Sequence, residues 1–316
     1  MSLATRALIV AGLGVCGLAS RLPAALSDDR ALAATTIETG SFPKRLIDPL
    51  GGESTLRAPP RRIVSVSLTS DELLADLVGV DRLAGVTYLV DDAATTELAG
   101  RIPRSVPRTS EEPEALLALE PDLLVVAGYT RPETVRQLES AGVPVVRIGR
   151  HDSFDDVIDA LTLLGRGVGE EARAGEIIGA MRARMHKVET AQIGRKSPRI
   201  LIWEMGYSYG RGTLQDDLLR RAGARNVAAE AGLVGPVSLT EEALLSLGPD
   251  VIVTSIEGAE VRLRMPALLG DDPIVKIVPA VVAGRVYGVP RRWLGSVSQH
   301  AVRGLEALAE IVEDAR

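Results

Sequence analysis

Residues Glu114-Ala-Leu-Leu-Ala-Leu-Glu-Pro-Asp122 and Glu242-Ala-Leu-Leu-Ser-Leu-Gly-Pro-Asp250 carry one pattern twice, 128 residues apart. Each copy runs into a short apolar segment, 123–127 and 251–254, that reads as a buried strand. A helix that ends in a Pro-Asp turn and feeds a strand is half of a βαβ unit. Solenoid repeats recur every 20–50 residues or so, and this spacing is far longer. The pattern therefore predicts two α/β lobes of one kind.

The surrounding sequence fits that reading. Lobe one opens with a strand at 62–68, and Thr69 with Glu72 reads as a capping box for a helix over 71–78. A strand at 83–87 and an irregular stretch to Ser110 follow; beyond the first copy come a helix at 132–141 and a strand at 143–148. Nearly forty residues, 153–191, then pass without a strand signal. Within them Ala174, Ile177, Ile178, Met181, Met185 and Val188 recur at helical spacing, which predicts a stiff connecting helix about 30 Å long. Lobe two repeats the opening with a strand at 199–204, a loop, and a helix capped by Thr213. A strand at 285–289 and a helix near 298–312 complete it. The expected fold is α/β: two Rossmann-like lobes with parallel sheets, joined by a long connecting α-helix. The divisions fall at 1–35 (leader), 36–60 (polar lead-in), 61–150 (first lobe), 151–197 (connector) and 198–316 (second lobe).

Composition narrows the function. The chain has 316 residues, 46% hydrophobic and 25% charged, enough for two cored lobes. A net charge of −6 argues against nucleic-acid binding. Arg6 followed by an apolar run over 7–19 and then small residues has the order of a secretory signal. Gly12, Gly14 and Gly17 spell the dinucleotide-binding pattern inside this segment, but no second strand follows to complete it. Cys16 is the only cysteine, which excludes internal disulfides and cysteine-based zinc sites. Lipid attachment at Cys16 is a further possibility, weakened by Val15 where a small residue is wanted.

Aromatics are scarce: five Tyr, two Trp and two Phe. Tyr88 and Tyr129 fall at or just past expected strand ends in lobe one, while Trp203, Tyr207 and Tyr209 flank the first strand end of lobe two. Tyr287 and Trp293 belong to the last strand and its loop. Open parallel sheets bind ligands outside the carboxyl ends of their strands, so these residues are ligand candidates. Arg291 and Arg292 would add two cations at that edge. The plainer alternatives are core packing for Trp203 and Tyr287 and solvated loop charge for the arginines.

An enzyme reading competes. Gly206-Tyr-Ser-Tyr-Gly210 spells G-x-S-x-G, and Ser208 with Asp250 or Asp271 and His300 has the chain order of an α/β-hydrolase triad. The elbow lacks an immediate helix, Asp250 begins its strand, and a hydrolase gives no reason for two lobes of one kind.

Taken in order, Pro59-Pro-Arg-Arg-Ile-Val-Ser65, the two repeat copies, the helical connector and Asp217-Leu-Leu-x-x-Ala-Gly223 resemble the substrate-binding proteins of ABC importers that carry cobalamin, iron–siderophore complexes or haem. The resemblance covers about residues 42–313. It implies a monomeric, exported, non-catalytic receptor that holds a small-molecule ligand between its lobes, either free in the periplasm or lipid-anchored. It also implies that Glu114 and Glu242 dock to the membrane permease, and the first turn of a helix favours exposed acids there. His151, His186 and His300 are isolated, so no metal site and no resident cofactor is expected. A corrinoid or ferric chelate is the expected ligand, haem less so.

Overall fold

The computed structural model describes residues 41–316 apart from positions 205, 259, 262 and 263. The leader, its glycine pattern and Cys16 lie outside the described residues. The lead-in is not merely polar: β1 (Lys44–Ile47) and β2 (Glu53–Leu56) form an antiparallel hairpin. Its alternation buries Leu46 and Leu56 and leaves the intervening side chains exposed, the period-two signal of a half-buried ribbon.

Lobe one continues with β3 (Ile63–Ser65), α1 (Leu68–Leu77), β4 (Leu83–Thr87), β5 (Arg108–Thr109), α2 (Pro113–Leu117), β6 (Leu123–Ala127), α3 (Pro132–Ser140) and β7 (Val145–Ile148). Its sheet is parallel, in the order β5-β4-β3-β6-β7. Two helices follow, α4 (Phe154–Val168) and α5 (Glu171–Gln192), turning at Gly169 in the left-handed conformation. Lobe two comprises β8 (Arg199–Ile202), β9 (Tyr207–Tyr209), α6 (Leu214–Arg221), β10 (Arg225–Asn226), α7 (Val227–Glu230), β11 (Pro236–Ser238), α8 (Glu241–Leu247) and β12 (Val251–Ile256). It ends with α9 (Pro273–Lys276), α10 (Pro279–Val282), β13 (Val286–Pro290), α11 (Arg291–Leu294) and α12 (Val302–Asp314). Its sheet, β10-β8-β12-β13, is also parallel. In both sheets the first strand (β3 or β8) is flanked on one side by the strand after its helix (β4 or β10) and on the other by the strand after the repeat copy (β6 or β12), followed by β7 or β13. Lobe one adds β5 beyond β4, and lobe two a separate β9–β11 pair. Topology, like the repeat, shows one fold used twice.

The repeat copies perform one job in both lobes. Asp122 accepts the Arg62 backbone N–H at 2.8 Å, while Arg62 Nε donates to the Glu120 carbonyl at 3.0 Å. Asp250 accepts the Arg199 backbone N–H at 3.1 Å, while Arg199 Nη1 donates to the Gly248 carbonyl at 2.8 Å. An arginine at the start of β3 or β8 thus ties down the turn before β6 or β12. The turn needs a left-handed residue, supplied by Glu120 (φ 48°) in one lobe and Gly248 (φ 52°) in the other.

The α1 cap differs from expectation. Ser67, not Thr69, is the N-cap, and it exchanges bonds with Ser70. This frees Glu72 to point away from the helix end, with a consequence for the lobe interface.

One hydrophobic core runs through lobe one, the connector and lobe two. It joins Leu73 and Val86 to Leu161, Met181 and Met185, and then to Leu218, Val289 and Leu305. Along α5 the apolar stripe read from sequence supplies the buried Ala174, Met181, Met185 and Val188. Separate clusters cover the other face of each sheet, around Val126 and Leu138 in lobe one and Ile252 and Val278 in lobe two. The lobes therefore share a packed core and form one compact unit.

Candidate ligand-binding cleft

Strand order fixes where a ligand can enter. The chain reverses direction across each sheet between β3 and β6 and between β8 and β12, so a crevice opens outside the carboxyl ends of those strands. Contacts between the lobes bring these two edges toward each other. The segment after β4 reaches α11, which follows β13: Arg292 Nε donates to Glu97 at 2.9 Å, and the Trp293 indole N–H donates to the same oxygen at 2.7 Å.

Three tyrosines stand exposed along this region: Tyr88 (70%) just beyond β4, Tyr129 (80%) just beyond β6, and Tyr207 (57%) beyond β8. Large aromatics left in water at strand ends are available for contact with a flat ligand. Tyr209 is partly buried, with its hydroxyl donating to Glu204 at 2.6 Å. Burial, then that bond and the Glu204 charge, push the Tyr209 phenol well above its ordinary pKa.

The other candidates are engaged within the protein. Trp203 is core: it is buried, packs in the second lobe's outer cluster, and directs its indole N–H at the Leu239 carbonyl. Tyr287 is fully buried and bonds Asp314. Arg292 is paired with Glu97, and Trp293 lies beneath the guanidinium groups of Arg292 and Arg303. Of the two arginines only Arg291 is exposed. Burial pushes the Glu97 carboxyl up, but the Trp293 and Arg292 bonds and the nearby Arg303 outweigh it and hold it below the usual glutamate range.

Sequence reasoning missed the groups that join the lobes. Glu72, buried in α1, accepts the hydroxyls of Thr96 at 2.6 Å, Ser296 at 3.1 Å and Ser298 at 2.5 Å, the last two from lobe two. Gln299 donates to the Glu72 carbonyl and to Asp76, both at 2.7 Å. The pattern Ser-x-Ser-Gln at 296–299 was the available signal, but polar residues before a helix read more simply as caps. Glu204 was also missed; it lies just beyond β8, at the second lobe's crevice.

Glu114 and Glu242 both sit exposed at the second position of their helices, α2 and α8. Neither is in an ion pair among the described residues.

The hydrolase reading fails on geometry. Ser208 lies inside β9, buried, with its hydroxyl committed to the Ile202 carbonyl at 2.7 Å. His300 faces Asp76 of the first lobe, Asp250 holds the Arg199 turn, and Asp271 is paired with Lys276. No helix of the described residues is long and apolar enough to cross a membrane, and no cluster among them has the makings of a metal site. A polar depression on the outside of lobe one, bordered by Arg136, Glu139 and Arg147, holds arginines already paired with Glu133 and Asp48.

Comparisons agree with this geometry. A cobalamin-binding protein of Halobacterium salinarum is 28% identical over 86% of this chain and 73% of its own. An ABC transporter substrate-binding lipoprotein of Bacillus subtilis, YvrC, is 25% identical over 97% of this chain and 95% of its own. Among solved structures, a periplasmic haem-binding protein from Pseudomonas aeruginosa matches with a TM-score of 0.65 at 27% identity, over 81% of this chain and 94% of that one. The periplasmic binding protein family matches residues 63–292, which is nearly all of the first lobe and most of the second. These relatives bind solutes and are not enzymes. The chain belongs to the periplasmic binding protein family.

Proposed function

We propose that this protein is the solute receptor of an ABC importer and that its ligand is a corrinoid held between the lobes. The observation that carries the reading is the set of three exposed tyrosines, contributed by both lobes at strand ends beside the crevice. Aromatic faces suit a flat macrocycle at small conformational cost. A ferric chelate is the second reading, favoured by the exposed cation of Arg291. The commitment of Arg292 to Glu97 weakens that alternative, because an anionic chelate or haem propionates would meet one available arginine instead of two. The names of the relatives support a ligand of this class.

Glu114 and Glu242 are the proposed permease contacts, one per lobe, both exposed in helical first turns. The leader is read as an export signal, with lipid attachment at Cys16 as its finer alternative; metabolic labelling with a fatty acid in the native host tests the latter. Tyr88, Tyr129, Tyr207 and Arg291 are proposed as ligand contacts, with Tyr209, Arg292 and Trp293 bordering them.

Tryptophan fluorescence tests the ligand. Trp293 lies at the lobe boundary and Trp203 in the core, so the signal reports mainly on the boundary. Saturable quenching by cyanocobalamin, with none by haem or ferric citrate, is expected. Saturation by a ferric chelate alone would replace the corrinoid reading with the second one.

A further inference from the structure

The second lobe places a carboxylate where the strand order opens the crevice. Glu204 lies two residues past the end of β8 and closes a tight turn, with Tyr207 N donating to the Glu204 carbonyl at 3.0 Å and Glu204 N to the Tyr207 carbonyl at 2.8 Å. Gly206 makes the turn possible, because its φ of +87° is costly for any residue with a Cβ. The turn sets Glu204 beside the exposed Tyr207, and the Tyr209 hydroxyl fixes the carboxylate from one side at 2.6 Å. No arginine or lysine pairs with Glu204 among the described residues. A partly exposed carboxylate bound to a single O–H donor keeps acceptor lone pairs for a further donor. It also repels any anion brought close to it.

We propose that Glu204 is a specificity-determining residue of the cleft: it accepts N–H groups from the ligand and excludes ligands that present a carboxylate there. Tyr209 is its positioning residue. Arg291 is the opposing charge on the same lobe, with Asp92 of the first lobe close enough to feel it. The crevice is therefore not a general anion trap. The inference deepens the corrinoid reading, since the rim of a corrinoid carries primary amides, which are N–H donors. Hydrolysing one amide to a carboxylate changes the charge with almost no change of shape.

The test measures Kd for cyanocobalamin and for its separated monocarboxylates, using wild type, Glu204→Gln and Tyr209→Phe. Ferric hydroxamate, nearly neutral, and ferric citrate, anionic, form a second matched pair. Wild type should bind at least one monocarboxylate about tenfold more weakly than cyanocobalamin, the size expected of one unfavourable charge contact. Glu204→Gln should bring the two within about threefold, and Tyr209→Phe should fall between. The glutamine variant keeps the shape of the side chain, and its melting temperature verifies folding. Should it fail to fold, the tyrosine variant carries the test alone. Unchanged discrimination in both variants overturns the role of Glu204 and leaves the corrinoid reading intact. If wild type binds only ferric chelates, the corrinoid reading falls and the same criterion is applied to the ferric pair. Binding of none of these ligands overturns both.

Discussion

The indole N–H of Trp293 donates to the Glu97 carboxylate at 2.7 Å across the boundary between the lobes. The Arg292 Nε–H shares that oxygen at 2.9 Å, so a single carboxylate holds the start of the second lobe's α11 against the first lobe. Glu97→Gln keeps one acceptor and loses the charge. It should lower stability by about 1–2 kcal/mol, whereas Glu97→Ala, which strands both donors, should cost about 2–3 kcal/mol. Because the folded state holds Glu97 below its ordinary pKa, the contribution is present above the unfolded value near 4.5 and is lost as pH falls through the lower folded value. Urea denaturation at pH 7 and at pH 3 checks both parts; an equal loss at the two pH values would contradict the assignment.

Asp71 should show the opposite slope. Burial is the main cause that raises its carboxyl to about 7, against hydrogen bonds from Thr87 and Ser65 that lower it. The folded protein then binds a proton that the unfolded chain has already released, so stability falls as pH rises from about 4 to about 7 and stays low above that. Asp71→Asn removes the titration. Relative to wild type it should gain on the order of 1–3 kcal/mol between pH 5 and pH 8. A parallel pH profile for the two proteins would refute this.

The two copies of the repeat predict opposite effects for matched substitutions. Gly248→Ala forces a Cβ into the left-handed region and should cost about 1 kcal/mol. Glu120→Gly at the equivalent turn relieves that strain, and greater freedom of the unfolded chain offsets part of the gain, leaving between zero and about 1 kcal/mol of stabilisation. Thermal melts of the two variants settle the comparison.

Closure on ligand binding should be small. The lobes share one core through α4 and α5, and Glu72 bonds Ser296 and Ser298 across the boundary. Scattering profiles with and without ligand should overlay to within a few per cent in radius of gyration. A large compaction would mean that the shared core yields. Met185→Ala, which opens a cavity in that core at a cost of about 2–5 kcal/mol, should loosen the pairing of the lobes.

Reversing the charge at Glu114 and Glu242 should leave ligand affinity unchanged and abolish uptake through the permease. Both side chains are exposed in the first turns of α2 and α8. Equilibrium binding and transport assays on the double variant separate the two properties. Loss of ligand binding would remove the docking assignment.

The sequence alone determined the duplication, because each Glu-Ala-Leu-Leu-x-Leu-x-Pro-Asp copy carries its helix, turn and strand signals within nine residues. Helical spacing likewise disclosed the buried stripe of α5, and Thr213 was readable as the α6 cap. All of these depend on residues close together in the chain. Partnerships between distant residues were not readable. Glu72 looked like half of a capping box, yet it binds serines more than 220 residues away, as Ser67 and Ser70 already cap the helix. Arg292 and Trp293 looked available for ligand, yet Glu97 claims both. Trp203 had the right place in sequence but faces the core, since one step along the chain past a strand end decides between packing and solvent. Local pattern decided which elements form; only the tertiary structure decided which polar side chains meet, because burial lets a distant partner displace both solvent and the nearest local one.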